Sequence, residues 1–194
     1  MSRPALPPLA NLPAPEITLE APPSPSRWQR IQAYRLFWVL GLAVFGLDQL
    51  SKTWVALTIP FDGANYHLHP VTVIDGFFYL IHVGNTGAAW SLFSGQAILL
   101  ALLALLTLVG IYFWRRALEL NQAPVQLAFG LLCGGIIGNL LDRVLHGHVI
   151  DFIDLHFGDY IYPTFNVADA GICVGVTIYL IHSLRQNPLP DQKA

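Results

Sequence analysis

A helical integral membrane protein carrying a small extramembrane β-sheet is the fold class this sequence predicts. Three observations predict it. Of the 194 residues, 54% are hydrophobic and only 11% charged, where a soluble domain carries roughly 25% charge; mean hydropathy is +0.52. Four apolar stretches approach the roughly 20 residues that a helix needs to cross a bilayer core of about 30 Å. Between the first two lies a β-rich run folded around an Asp-Gly pair. The formal net charge of -2 says little about partners, and no nucleic-acid partner is expected.

Residues 1–34 differ in character from the rest of the chain. They are proline-rich and lack a hydrophobic repeat, so they cannot bury enough apolar surface to offset their ordering entropy. A disordered cytoplasmic tail is expected there, and it has no basic start followed by an apolar block, as a secretory signal would. A membrane domain is expected over 35–186, with spans at about 36–59, 97–114, 123–141 and 167–184, and a short cytoplasmic C-terminal tail over 187–194. The second and third spans carry no charge within these limits.

Basic residues set the orientation. With four spans, Arg3, Arg27, Arg30, Arg35, Arg115, Arg116, Arg185 and Lys193 share one side with both termini, leaving only Lys52 and Arg143 in or beyond the membrane. The positive-inside rule puts that side in the cytoplasm. Segments 60–96 and 142–166 then face outward, and Asp48, Asp62, Asp75, Asp142, Asp151, Asp154, Asp159 and Asp169 all fall on or toward that side. In the first outer segment, Val71–Ile74 and Phe77–Val83 flank Asp75-Gly76, a hairpin signal, so a small sheet on the outer membrane face is expected. Gly134/Gly138 and Gly171/Gly175 recur at the four-residue spacing that lets helices approach closely in lipid. Cys133 and Cys173 read as small buried residues.

The ionisable residues within the spans need a reason. Asp48 and Lys52 stand four apart on one helix face and suit an ion pair; such groups in a membrane helix mark function or, as a structural pair near the interface, leave Lys52 to reach outward to water. Asn139, Asp142 and Arg143 end the third span; they either form a polar helix end at the outer surface, or Asn139 and Arg143, four apart on one face, aim donors into a site. Asn166 and Asp169 fit an N-cap and a third helical position. Asp151 has no such local explanation inside the apolar phrase VIDF, so it is either solvated at a surface or held in a site. His146, His148 and His156, interleaved with Asp151 and Asp154, offer possible zinc donors, but no HExxH or cysteine pair anchors them.

Five phrases then combine: DQLSK (48–52), NTGAAW (85–90), GNLLDRV (138–144), GHVIDFID (147–154) and FNVADAG (165–171). In this order and beside these spans, the chain resembles lipoprotein signal peptidase, or signal peptidase II, a family of bacterial membrane aspartic peptidases. Trp90 stands where Phe is more usual. The resemblance implies that Asp151 and Asp169 are the catalytic pair; that Asn85, Gly87, Asn139, Arg143, Asn166 and Ala170 line the site; and that Asp48 and Lys52 support it. It implies cleavage of diacylglyceryl-modified prolipoproteins on the amino side of the lipidated lipobox cysteine, in the inner membrane with no metal or cofactor; a monomer is the expected state. Two rival classes remain open at this point. A metal-dependent hydrolase would use the three histidines, and a proton relay would use Asp48, Asp151 and Asp169.

Overall fold

The structure, a computed structural model, describes residues 26–61, 69–88 and 92–186. Most of the Pro-rich tail, the C-terminal tail 187–194, Asp62 and Trp90 lie outside the described residues. Among the described residues, five helices and four strands run in the order α1 (Arg27–Ala33), α2 (Arg35–Thr58), β1 (Val71–Ile74), β2 (Phe78–Asn85), α3 (Ala97–Trp114), α4 (Ala123–His146), β3 (Val149–Phe157), β4 (Tyr160–Phe165) and α5 (Val167–Gln186). Helix α1 falls within the stretch assigned to the tail. A capping box makes it possible: Ser26 Oγ accepts the Gln29 amide while Gln29 Oε1 accepts the Ser26 amide, which satisfies two otherwise orphaned donors.

Among the described residues, α3, α4 and α5 are long and apolar enough to cross a membrane. Helix α2 has the length, with 24 residues, but its polar run Asp48–Lys52 lowers its hydropathy. Helix α3 has a mean hydropathy of 2.5 and no fully buried residue, as expected where the surrounding solvent is lipid. Helix α4 is the opposite case. It packs against α2 and α5 and contains most of the buried helical positions. It also runs to His146, five residues beyond the expected end of its span, and stops at Gly147 in the left-handed conformation (φ 74°), a common helix terminator. Asp142 and Arg143 are therefore helical.

Small residues let α4 lie close to its neighbours. A Cβ on Gly134 would stand 2.5 Å from the Gly41 carbonyl oxygen of α2, and one on Gly175 would stand 2.5 Å from the Ala128 carbonyl oxygen of α4. Without competing hydrophobic drive in lipid, such backbone-to-backbone approach is a main source of helix association.

The strands form one antiparallel sheet in the order β1-β2-β3-β4. The hairpin around Asp75-Gly76 is present, with Gly76 at φ 73°. The second hairpin, β3–β4, turns at Gly158 (φ 64°). Helices α3 and α4 are inserted between β2 and β3, so the central strand pair joins distant parts of the chain. Val55 and Ile59 at the end of α2 pack with Ile150 and Phe152 of β3 in a buried cluster, which fixes the sheet to the helices.

Gly134→Ala should lower the thermal unfolding midpoint in detergent, by the equivalent of about 1–3 kcal/mol, because the added carbon has no room. Gly46→Ala, with nothing within 4 Å of the new carbon, should leave the midpoint unchanged or raise it. Equal midpoints for the two variants would contradict this packing.

Candidate active site

The site lies where α2, α4, the sheet and the start of α5 meet. It begins with a buried cation. Lys52 is 2% exposed; its Nζ lies 2.8 Å from Asp48 Oδ2 and 2.8 Å from Asp142 Oδ2, and it donates to Asn139 Oδ1 at 2.9 Å. An ammonium has three donors and no acceptor, so three acceptors satisfy it. Lys52 therefore does not reach outward to water. Asp142 is likewise buried, 1% exposed, and is no surface helix end.

Around this centre each carboxylate oxygen has further partners. Asp48 Oδ1 accepts the Ala168 amide at 2.9 Å, tying α2 to the first turn of α5. Asp142 Oδ2 accepts the Ile150 amide at 3.2 Å, tying α4 to β3. The Gln49 side-chain amide reaches Asp48 Oδ2 and Asp142 Oδ1, each at 3.1 Å. Gly138 has to be glycine here, because a Cβ would stand 2.5 Å from Asp48 Oδ2.

Lys52 also orients the groups that face the cleft. With its oxygen held by Lys52, Asn139 turns its Nδ2 to Asp169 Oδ1 at 2.7 Å. Asn166 and Asp169 exchange bonds across the start of α5: the Asp169 amide donates to Asn166 Oδ1 at 2.9 Å, and the Asn166 amide donates to Asp169 Oδ2 at 3.2 Å. This is a capping box with Asn and Asp in place of the usual pair. Asn166 Nδ2 then donates to Asp151 Oδ1 at 2.7 Å. Asp151 Oδ2 accepts Asn85 Nδ2 at 2.9 Å. Asn166 thus bridges the two carboxylates, one on strand β3 and one on helix α5. Asn85 Oδ1 accepts the Gly87 amide at 2.9 Å, and Arg143 Nη2 donates to the Gly87 carbonyl at 2.8 Å, so Arg143 fastens the segment after β2 over the pair.

Asp151 is 2% exposed. Burial, and then the charge of Asp169, push its carboxyl up to about 7, against the opposing hydrogen bonds from Asn85 and Asn166. A carboxylate placed in a dry setting beside another carboxylate holds its proton more tightly. Both acids open onto a cleft of about 970 Å³ lined also by Asn85, Gly87, Asn139, Arg143 and Ala170.

The residues that the resemblance singled out gather here: Asp151, Asp169, Asn85, Gly87, Asn139, Arg143 and Ala170 at the cleft, with Asn166, Asp48 and Lys52 behind it. Sequence reasoning misses Asp142 and Gln49 as members of the network. Asp142 stands three residues after Asn139, on the same helix face, which is the available signal. The histidines do not converge. The rings of His146 and His148 are 6.0 Å apart, His148 stacks on Phe61, and His156 pairs with Asp154 at 2.7 Å. Among the described residues no group of three or more His, Cys, Asp or Glu side chains is placed to hold a metal ion. Cys133 is buried and Cys173 exposed, and both are free thiols.

Apolar helices, a small antiparallel sheet and a carboxylate-centred cleft at their junction define a membrane enzyme. The chain belongs to the signal peptidase II family, whose family model, described as signal peptidase (SPase) II, matches residues 40–185. It is 36% identical over 148 residues to a lipoprotein signal peptidase of Bacillus pumilus (strain SAFR-032), covering 76% of this chain and 92% of that one. It is 38% identical over 157 residues to the lipoprotein signal peptidase of Nostoc punctiforme, covering 79% and 92%. A solved bacterial membrane enzyme superimposes with a TM-score of 0.71 at 28% identity, over 81% of this chain and 93% of that one. These relatives indicate a protease.

Lys52→Met should destabilise the fold by about 3–5 kcal/mol, because two buried carboxylates lose their counter-ion. Adding Asp142→Leu should recover part of the loss, as read by unfolding in detergent. Additive losses in the double variant would contradict the ion-pair geometry.

Proposed function

We propose that this chain is an aspartic endopeptidase that removes the signal peptide from diacylglyceryl-modified prolipoproteins, cutting on the amino side of the lipidated lipobox cysteine. The observation that carries the reading is the bridging of Asp151 and Asp169 by a single side chain, Asn166, at the floor of an open cleft. The names of the relatives supply the substrate class.

Two neighbouring carboxylates do not both ionise readily, so the pair shares one proton. Asp151 is the more deeply buried and keeps it. Asp169 sits in the first turn of α5, where the helix dipole favours negative charge. Asp169 takes a proton from water as the water attacks the scissile carbonyl, and Asp151 donates to that carbonyl oxygen. The tetrahedral intermediate collapses with a proton delivered to the leaving amine. Asn85, Asn139 and Asn166 hold the two carboxylates through the cycle, and Arg143 holds the Gly87 segment against the cleft. No metal and no covalent acyl-enzyme enters this sequence of steps.

In this reading α2 is a fourth crossing. Its 24 residues span about 36 Å at 1.5 Å per residue, and its polar run is buried against α4. Both termini lie in the cytoplasm with the excess of Lys and Arg, and the cleft faces the outer side, where a lipidated cysteine keeps its acyl chains in the bilayer while its peptide bond meets water. A monomer suffices, because every group in the mechanism comes from one chain.

The test is cleavage of a diacylglyceryl-modified lipobox peptide by purified protein in detergent with EDTA. Wild type should cleave, and folded Asp151→Asn and Asp169→Asn should each be inert. Substantial activity in both variants would sink the assignment, and loss of wild-type activity on adding EDTA would move the site to the histidines.

The raised Asp151 carboxyl sets a pH dependence. Its protonated form is the productive one, so kcat/KM should fall as pH rises through about 7, while protonation of the base Asp169 sets a separate loss on the acid side. Asn85→Ala removes a hydrogen bond that favours the ionised form, so the falling limb should move to higher pH. A limb that stayed in place or moved down would contradict the hydrogen-bonding scheme.

A further inference from the structure

The cleft meets its two neighbouring strands in different ways. On β3 it touches Val149, Asp151, Leu155 and Phe157, alternate residues on one face, since successive side chains of a strand point to opposite faces, and it adds Asp154 only at the irregularity in the pairing. On β4 the cleft touches every residue from 161 to 165. A cavity that meets consecutive residues of a strand runs along its edge. Among the described residues β4 pairs with β3 alone and ends the sheet, so the other edge is the one along which the cleft runs. The pairing shifts register where Pro163 and Thr164 face Asp154. Such a bulge bends the strand, and a proline, lacking an N–H, is tolerated in an edge strand or at a bulge.

We propose that the free edge of β4 is the docking rail for substrate: the residues flanking the scissile bond bind as an extended strand added to the sheet, held by main-chain hydrogen bonds. The inference rests on the proposed peptidase function. Continuity of the chain identifies the occupant. Strand β4 leads through Asn166 directly into the turn that carries Asp169, so a peptide lying along residues 161–165 has its backbone delivered to the carboxylate pair. Strand addition recognises backbone rather than side chains and leaves alternate side chains to be read by pockets. A bare edge therefore suits an enzyme whose substrates share a short motif and differ around it. The exposed side chains of Ile161 and Tyr162 stand on opposite faces of that rail.

The test is an ester scan of the lipobox peptide, replacing one amide at a time on either side of the scissile bond, which stays an amide. Each ester removes one N–H donor and leaves the side chains untouched. With strand addition, kcat/KM should drop about threefold to tenfold at every second position and hold steady in between. A flat response across the scan would overturn the rail, while continued cleavage of the unmodified peptide would leave the peptidase reading standing. Failure of wild type to cleave the unmodified peptide would bring down both. As a second readout, a photoreactive residue beside the scissile bond should form adducts within residues 160–165; adducts confined to other elements would overturn the proposal.

Discussion

A single buried ammonium organises this molecule. Removing a lysine from water costs several kcal/mol even after relaxation, and Lys52 offsets that cost only by meeting three acceptors at once. Those acceptors lie on α2 and α4, and the two carboxylates among them also reach the first turn of α5 and the start of β3. Four elements are thereby locked in one register by a group that never meets the cleft. The chemistry in front depends on the charge behind it, since the direction of the Asn139 amide, and hence the donor offered to Asp169, is set by the oxygen being taken by Lys52.

The carboxylate pair is divided between two kinds of support. Asp151 rides on a central strand, where its pairing with Val83 of β2 fixes its backbone. Asp169 rides on a helix start, where the cap with Asn166 fixes it. Asn166 joins the two directly: it caps the helix with its side-chain oxygen and holds Asp151 with its side-chain nitrogen. One amide thus serves local structure and site geometry together, so its role as an ordinary helix cap and its role in the site are the same set of bonds.

Much of this arrangement is legible in the sequence. The limits of α3, the starts of α4 and α5 and the first hairpin can be read from hydropathy and from Asp-Gly. The polar residues at the centre of the cleft can be read from motif phrases, but not the β4 residues that wall it. Composition misses features that arise only in three dimensions. Strand β3 is obscured because VIDFIDLHF is buried on both faces, with Asp151 and Asp154 inside, so it lacks the alternation of a half-exposed strand. Asp142 reads as the polar end of a span because the apolar run stops there, although the helix continues and turns that side chain inward to Lys52. Helix α1 is hidden by the proline-rich stretch before it, although Ser26 and Gln29 carry the cap. The use of Gln49 to hold two like-charged carboxylates together leaves no trace in spacing at all.

The insertion of α3 and α4 between β2 and β3 has a consequence for how the protein comes into being. The sheet cannot close as its first strands leave the ribosome, because their partner strand waits behind two membrane helices, and such long-range pairing is slow to form. Asp169 arrives later still, at the head of the last helix. Asn85, the buried lysine and the two acids thus come together only when the final segment has entered the bilayer. Until then the cleft lacks its carboxylate pair, so under the proposed mechanism a partly inserted molecule is held inert by its own order of synthesis.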